Sequence, residues 1–359
     1  MLSRILKYFI VIACAPALLS SCYTVSTMET EVLKPARYDF IPEIYRVGVV
    51  SRMDMEVRQT EGRIDRKQLE IFKRDSAIIK NGVLGMLDGL AESPRFEAYK
   101  IDPDRILKGR ESILSRQLDW RRVDSLAARD DLDMLICMTA TNFKDTVHRP
   151  SELFGTDPDK VLTVAYDGAE SIINEDLKKS SSRHYIMFPK IYWRIYELED
   201  RRVTERIQED TIILDPGPVR GYYSGRETIE IFNDVVGYMG YEYSRVIAPY
   251  WQNVNRAWYP EGNYAFRQAG KFAREGEWLK ASEIWRKLAY GEDRRVAARA
   301  SFNMALASEM QDEFDIAIEW VNRSIDLGLD YYSEYYLEIL KNRRSDKEKL
   351  DRQMKIDYQ

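Results

Sequence analysis

Apolar residues recur in two rhythms along this chain, and the change of rhythm divides it. In the first two thirds, short runs with a period of two are separated by longer stretches with a period near 3.6. Tyr45–Ser51 (YRVGVVS) is β-branched and predicts a strand. Leu69–Leu90 carries Leu69, Phe72, Ile78, Ile79, Val83, Leu84, Leu87 and Leu90 at a helical spacing. Gly82, Gly85 and Gly89 lie on that helix, with no Lys-Ser/Thr after them, so close backbone packing against a sheet is expected in place of a phosphate loop. Arg95–Ile101 alternates as a second strand, and a second helix is expected from about Ile113 to Arg129. Leu132–Phe143 is apolar enough for a central strand. Tyr185–Glu199 and Arg202–Leu214 form a hairpin about Asp200-Arg201, with Ile191, Trp193 and Ile195 on one face and Tyr192, Arg194 and Tyr196 on the other. Asp215-Pro-Gly-Pro218 ends the pattern. The prediction is an α/β domain with a mixed sheet over residues 41–218. Within it, 144–183 reads as an insertion with one extra strand near Val161–Tyr166.

The last third is helical. Arg226–Ala248 predicts a helix stopped or kinked at Pro249. Tyr250–Tyr259 reads as its aromatic continuation, so residues 219–260 are expected to be connecting helices. Self-similarity then appears over 261–343. Ala269, Gly276, Ala281 and Trp285 are echoed by Ala305, Ala317 and Val321, and each pair of alanines is 12 apart, as in the tetratricopeptide pattern. Small residues at these positions let paired helices approach closely, while Trp285 and Val321 fill the adjacent gap. The predicted fold class is therefore α/β followed by an all-α, tetratricopeptide-like repeat domain. Tyr331–Leu340 is expected to cap the stack, and 344–359 to form a charged tail.

The amino terminus reads as an address. Arg4 and Lys7 precede a 13-residue apolar run, Tyr8–Ser20, which is too short to span a bilayer and has the form of a signal-peptide core. Leu19-Ser20-Ser21-Cys22 resembles a bacterial lipobox, in which the cysteine is acylated after cleavage. The resemblance implies a signal peptide over 1–21, a mature chain of 359 − 21 = 338 residues, and a lipid bilayer held through Cys22. Residues 22–40 are polar, include Pro35 and show no sustained period, so they read as a tether. No Asp directly follows Cys22, which favours the outer membrane; no acidic cluster follows closely, which favours the periplasmic side over exposure at the cell surface.

Composition adds exclusions. With 54 Lys+Arg against 59 Asp+Glu there is no basic field for nucleic acid. Three cysteines rule out a disulfide scaffold, and two histidines, His148 and His184, stand in no metal-ligand spacing. No metal or cofactor is expected. Cys137 sits in an apolar run and reads as a buried thiol. No carboxylate pair stands out, Asp130, Asp131 and Asp133 included. Asp75-Ser76-Ala77, Asp124-Ser125-Leu126, Asp145-Thr146-Val147 and Asp210-Thr211-Ile212 resemble a bacterial O-glycosylation pattern. Aromatic rings crowd Tyr222 to Tyr259. Tyr250, Trp251, Trp258 and Tyr259 are candidates for a partner or glycan surface, against the alternative of a core between domains.

Two resemblances bear on role. The strand order, the Leu132-Asp133-Met134-Leu135 step and the Tyr196-Glu197-Leu198-Glu199-Asp200 hairpin resemble assembly domains of the curli secretion channel, the penicillin-binding-protein activators and the Tol periplasmic protein. The run Ala298–Glu309 with Asp315–Trp320, together with Glu277-Trp278, Arg245–Trp251 and Arg256, resembles an uncharacterised family of Gram-negative lipoproteins with terminal tetratricopeptide repeats. That resemblance implies location and architecture and carries no catalytic residue. The expected function is a non-enzymatic envelope scaffold that binds a protein partner along the repeat helices. The alternative is an envelope hydrolase acting on glycan or peptidoglycan through carboxylates.

Overall fold

A computed structural model describes residues 25–52, 66–102, 117–148, 162–163, 184–214 and 225–354. The chain forms two compact units. One is Pro35–Tyr250 with Arg352–Gln359, and the other is Met1–Lys34 with Trp251–Asp351. The first is therefore inserted into the second along the chain.

The inserted unit holds a mixed sheet. β2 (Arg46–Ser51) pairs in parallel with both β3 (Glu97–Lys100) and β4 (Met134–His148). The parallel pairs are reached through α1 (Arg66–Glu92) and α2 (Trp120–Asp130), as parallel neighbours require a crossover. β4 pairs antiparallel with β6 (His184–Glu197) from Met134↔Glu197 to His148↔His184, with a register shift between Met138 and Ala140. β7 (Arg202–Glu209) and β8 (Ile212–Leu214) continue against β6 in one register, broken at Asp210-Thr211. There the Asp210 N–H donates to the Pro189 carbonyl at 3.2 Å, and Pro189 has no N–H to return. β5 (Leu162–Thr163) pairs in parallel with β8, within the expected extra strand.

Alternation assigns each side of the sheet to its own core. Val47, Val49, Met134, Ile136, Met138, Ile191, Trp193 and Ile195 pack with α1 and α3 (Gly225–Ile247). Val50, Leu135, Cys137 and Tyr196 pack with Val123, Leu126 and Ala127 of α2. The expected hairpin faces are the observed ones.

The α1 glycines serve a different contact from the one expected. They lie mainly against another helix, and only Gly82 also approaches the sheet, at Met138. A Cβ on Gly85 would stand 1.9 Å from the Gly237 carbonyl oxygen, and one on Gly240 would stand 2.3 Å from that of Gly82. Gly82/Gly85/Gly89 and Gly237/Gly240/Ser244 thus form matching stripes at spacings of three and four, which bring α1 and α3 into backbone contact.

The other unit is a run of five helices and a two-stranded sheet. α4 (Tyr264–Arg274), α5 (Trp278–Ala289), α6 (Arg294–Glu309), α7 (Phe314–Asp326) and α8 (Asp330–Met354) follow in order. Asn263 caps α4 and Asp293 caps α6 through their side chains. The α4–α5 and α6–α7 turns are alike. Glu277 N–H reaches the Phe272 carbonyl and Glu313 N–H reaches that of Ser308, each five residues back, at 2.9 Å. Gly276 and Asp312 hold the left-handed position, at φ 76° and 58°. An aspartate replaces glycine in the second turn, which is why only the first was marked by a glycine.

Several expectations fail; the charged tail expected over 344–359 is, through Met354, the end of α8, with Leu350 and Gln353 buried. Residues 22–40 are not a plain tether, because β1 (Ser26–Lys34) pairs with β9 (Tyr250–Trp258). In β1, Thr27, Glu29 and Glu31 are exposed while Val32 is buried. A polar strand with one fully buried apolar side chain carries too little hydrophobic contrast to be read by period. Nor does Tyr250–Tyr259 continue the helix. The chain leaves α3 at Pro249 and runs extended, burying Arg256 and Trp258 on alternate positions. The extended backbone follows from Pro249, whose ring ends the helix and restricts the residue before it. The insertion is also shorter than expected, since 144–148 continue β4.

Candidate functional site

The densest buried chemistry lies where β9 crosses the helical run. α6 is buried along its C-terminal three quarters, including the polar Ser301, Asn303, Ser308 and Glu309. Glu309 ends α6, where the helix dipole disfavours a carboxylate. Its compensation comes from other elements. Arg256 of β9 donates from Nε to Oε2 at 2.9 Å and from a terminal nitrogen to Oε1 at 2.7 Å. The Tyr336 hydroxyl of α8 donates to Oε2 at 2.6 Å. Arg343 of α8 stands 3.6 Å from Oε1, donates to the Leu33 carbonyl of β1 at 2.8 Å and covers the Phe314 ring at 5.2 Å. One step along, Asn303 exchanges two hydrogen bonds with the Tyr259 backbone, at 2.9 and 2.7 Å. Tyr259 meets Phe302 edge-on at 5.4 Å.

Electrostatics make this cluster a lock. Burial works against the Arg256 guanidinium, but its bonds to Glu309 outweigh it and raise its pKa. Burial, then the charge of Glu309 and the bond to it, push the Tyr336 hydroxyl well above its ordinary value. The Glu309 carboxylate is buried, bonded by Arg256 and Tyr336 and faced by the Arg343 charge. The arrangement fixes β1 and β9 to the helices.

The residues expected to pack a repeat are, Gly276 apart, buried in the helical unit. Ala269, Ala281, Trp285, Ala305, Ala317 and Val321 are all fully buried in one core. Gly276 instead serves the α4–α5 turn. The expected aromatic surface divides. Trp258 and Tyr259 are buried in the helical core, which removes them as a partner surface, and Trp258 lies against Gly270 and under Arg274. Tyr250 is half-buried, with Arg245 over its ring, whereas Trp251 is exposed. Cys22 lies outside the described residues, as do Tyr222 and Tyr223.

Remaining candidates take structural places. Asp133 accepts the backbone N–H groups of Tyr45 and Arg46, at 2.9 and 2.7 Å, and so fixes the entry to β2. Asp131 pairs with Arg46. Glu197, buried at the end of β6, is held by Arg202, and Tyr196 accepts the Leu118 N–H at 2.8 Å. Burial pushes the Cys137 thiol up to about 12, against the pull of Arg52 and Arg194, so it is no nucleophile at neutral pH. His184 is buried, and His148 stands opposite it in the β4–β6 register. Asp210 is raised to about 6 by burial, with the Thr211 N–H pulling it down. Among the described residues, no group of His, Cys, Asp and Glu is placed to hold a metal ion, and no helix is long and apolar enough to cross a membrane.

The sequence signals for the lock were present but dispersed. Arg256, Asn303 and Glu309 all fall among the residues quoted for the lipoprotein resemblance, yet 53 positions separate Arg256 from Glu309. Arg343 and Tyr336 sit in a charged helix with nothing to mark them.

Comparison with known proteins gives two family matches. Residues 267–349 match a model described as a domain of unknown function (DUF6340), which covers the helical run from α4 to α8. Residues 44–259, more than half of the chain, match a second such model (DUF8603), which covers the sheet unit and β9. No curated protein matches. With that coverage, the chain belongs to the family described as domain of unknown function DUF8603.

Proposed function

We propose that this chain is a bacterial envelope lipoprotein that docks a protein partner on its helical unit. The anchor is the acylated Cys22, set in the outer membrane with the folded units facing the periplasm. The carrying observation is the distribution of exposed apolar side chains. Among the described residues, Trp251, Tyr264, Leu279, Tyr290, Ile316, Tyr331, Tyr332 and Tyr335 are exposed on the helical unit, and Tyr45 and Ile207 on the sheet unit. Aromatic rings in such numbers mark interaction surfaces. Tyr331 is 80% exposed and Tyr335 70%, on the first turns of α8.

The helices are read as two tetratricopeptide-like pairs closed by α8. The like turns 36 residues apart and the buried alanines support this reading. Docking along the inner helix faces needs adjusting, because the faces of α6 are buried. The open surface is the tyrosine-bearing start of α8 and the outer sides of α5 and α7. The sheet unit is read as an assembly module of the curli-channel and Tol type, in which Asp133 and Tyr196 hold strand entry and hairpin together. No arrangement among the described residues favours the hydrolase alternative, since the buried carboxylates Glu197 and Glu309 are held by arginines.

Two experiments test the proposal. Labelling with a fatty-acid analogue should mark the parent chain and leave Cys22→Ala unmarked; label on the variant contradicts the anchor. A photo-crosslinking residue at Tyr335 should capture a discrete partner in intact cells, and Tyr331→Ala should reduce that yield several-fold. Equal capture from position 45 contradicts docking on the helical unit.

A further inference from the structure

We propose that the helical unit lies directly against the lipid headgroups, because only Tyr23 and Thr24 stand in sequence between the anchored Cys22 and Val25 of the fold. This rests on the acylation of Cys22 and adds what that anchor holds. Val25 packs against the core of the helical unit. From Cys22 to Val25 is three residues, a reach of at most about 11 Å at 3.6 Å per residue. A free tether of the length first expected would leave the folded units tens of ångströms of play. Here the chain enters the fold at once and stays in it. Thr30 bonds the Met310 sulfur at 3.2 Å, Arg343 holds the Leu33 carbonyl, and Lys34 pairs with Asp346 at 2.9 Å. β1 is thus attached at its start, middle and end to one unit, and β9 pairs with it.

The reach fixes the occupant of the nearby surface. From Cys22 to Thr30 is eight residues, so the α6–α7 turn that Thr30 touches lies within about 29 Å of the anchored cysteine. A folded unit held this closely has the headgroup layer as its neighbour.

The test is energy transfer from the protein to the bilayer. The full chain is expressed in a Gram-negative host, and the purified protein is placed in phosphatidylethanolamine–phosphatidylglycerol vesicles that carry an acceptor-labelled lipid. A donor dye is attached to Glu313→Cys, on the exposed α6–α7 turn. The buried Cys137 does not compete for it. A second form has twenty Gly/Ser residues inserted between Thr24 and Val25, a coil of about 25 Å. Transfer should be at least two-fold stronger in the parent than in the linker form. Val32→Lys, which forces a charge into a buried strand position, should weaken transfer in the same way if β1 is what holds the unit down. Equal transfer in parent and linker forms overturns the proposal while leaving the anchor standing. Mass spectrometry separates the two: a chain without acyl groups on Cys22 overturns the anchor and this proposal together.

Discussion

At Glu309 one carboxylate gathers two arginines and a tyrosine from β9 and α8. Such a group is costly to bury and costlier to break. Glu309→Gln leaves Arg256 and Arg343 facing a neutral amide, and should destabilise the protein by about 3–5 kcal/mol in urea unfolding at pH 7. Arg256→Met with Glu309→Gln should lose clearly less than the two single changes added, because the double change leaves less charge unpaired. Asp210 gives an opposite prediction. Its folded pKa of about 6 exceeds the ordinary unfolded value near 3.9, so burial penalises the charged form. That penalty is full above pH 6 and disappears below pH 4. Asp210→Asn, whose amide oxygen retains the bond from Thr211, should therefore stabilise the protein by about 1–2 kcal/mol at pH 7. The gain should vanish by about pH 4, read from urea midpoints of variant and parent at the two pH values.

The clearest case at the scale of elements is the α1–α3 contact, where two glycines on facing helices behave differently. A Cβ on Gly85 would meet backbone at 1.9 Å, which forces the helices apart; Gly85→Ala should cost about 2–3 kcal/mol. A Cβ on Gly237 meets nothing nearer than 3.8 Å, so Gly237→Ala should be neutral or stabilise by up to about 1 kcal/mol through helix propensity. Thermal unfolding of the two variants reads both signs. The glycine spacing was visible in the sequence; its partner helix was not, because the matching stripe lies about 150 residues away. Legibility followed contrast elsewhere too. β6, strictly alternating, is legible to within two residues at each end, as is the start of β4, but β4 runs five residues past its expected end. The pairing of α4 with α5 and of α6 with α7 is legible because alanines 12 apart encode a close helix pair. β1 and β9 were misread because they pair with each other across more than 200 residues, and because β1 is mostly polar while the apolar residues of β9 do not alternate strictly. In the α6–α7 turn Asp312 takes the left-handed place that Gly276 holds in the α4–α5 turn, so the spacing marks it without a glycine.

For the molecule as a whole, β1 and β9 are where the two units are joined in sequence. The helical unit is completed by a strand from before the inserted sheet unit and a strand from after it. A chain cut into a leading tether, a sheet domain and a trailing repeat domain would separate the helices from residues that bury their polar core. Loss of residues 26–34 should expose Arg343, whose Leu33 partner goes with them, and lower the unfolding temperature of the helical unit by several degrees. If the segment after Cys22 is part of the fold, as both the docking proposal and the membrane contact require, its amides must be protected. Hydrogen–deuterium exchange of the acylated full chain measures this directly. Peptides covering 26–34 and 250–258 should exchange at least about a hundred-fold more slowly than unstructured chain, in step with α6. Exchange of 26–34 at the rate of a free peptide, with α6 still protected, would contradict the joined unit and restore a plain tether.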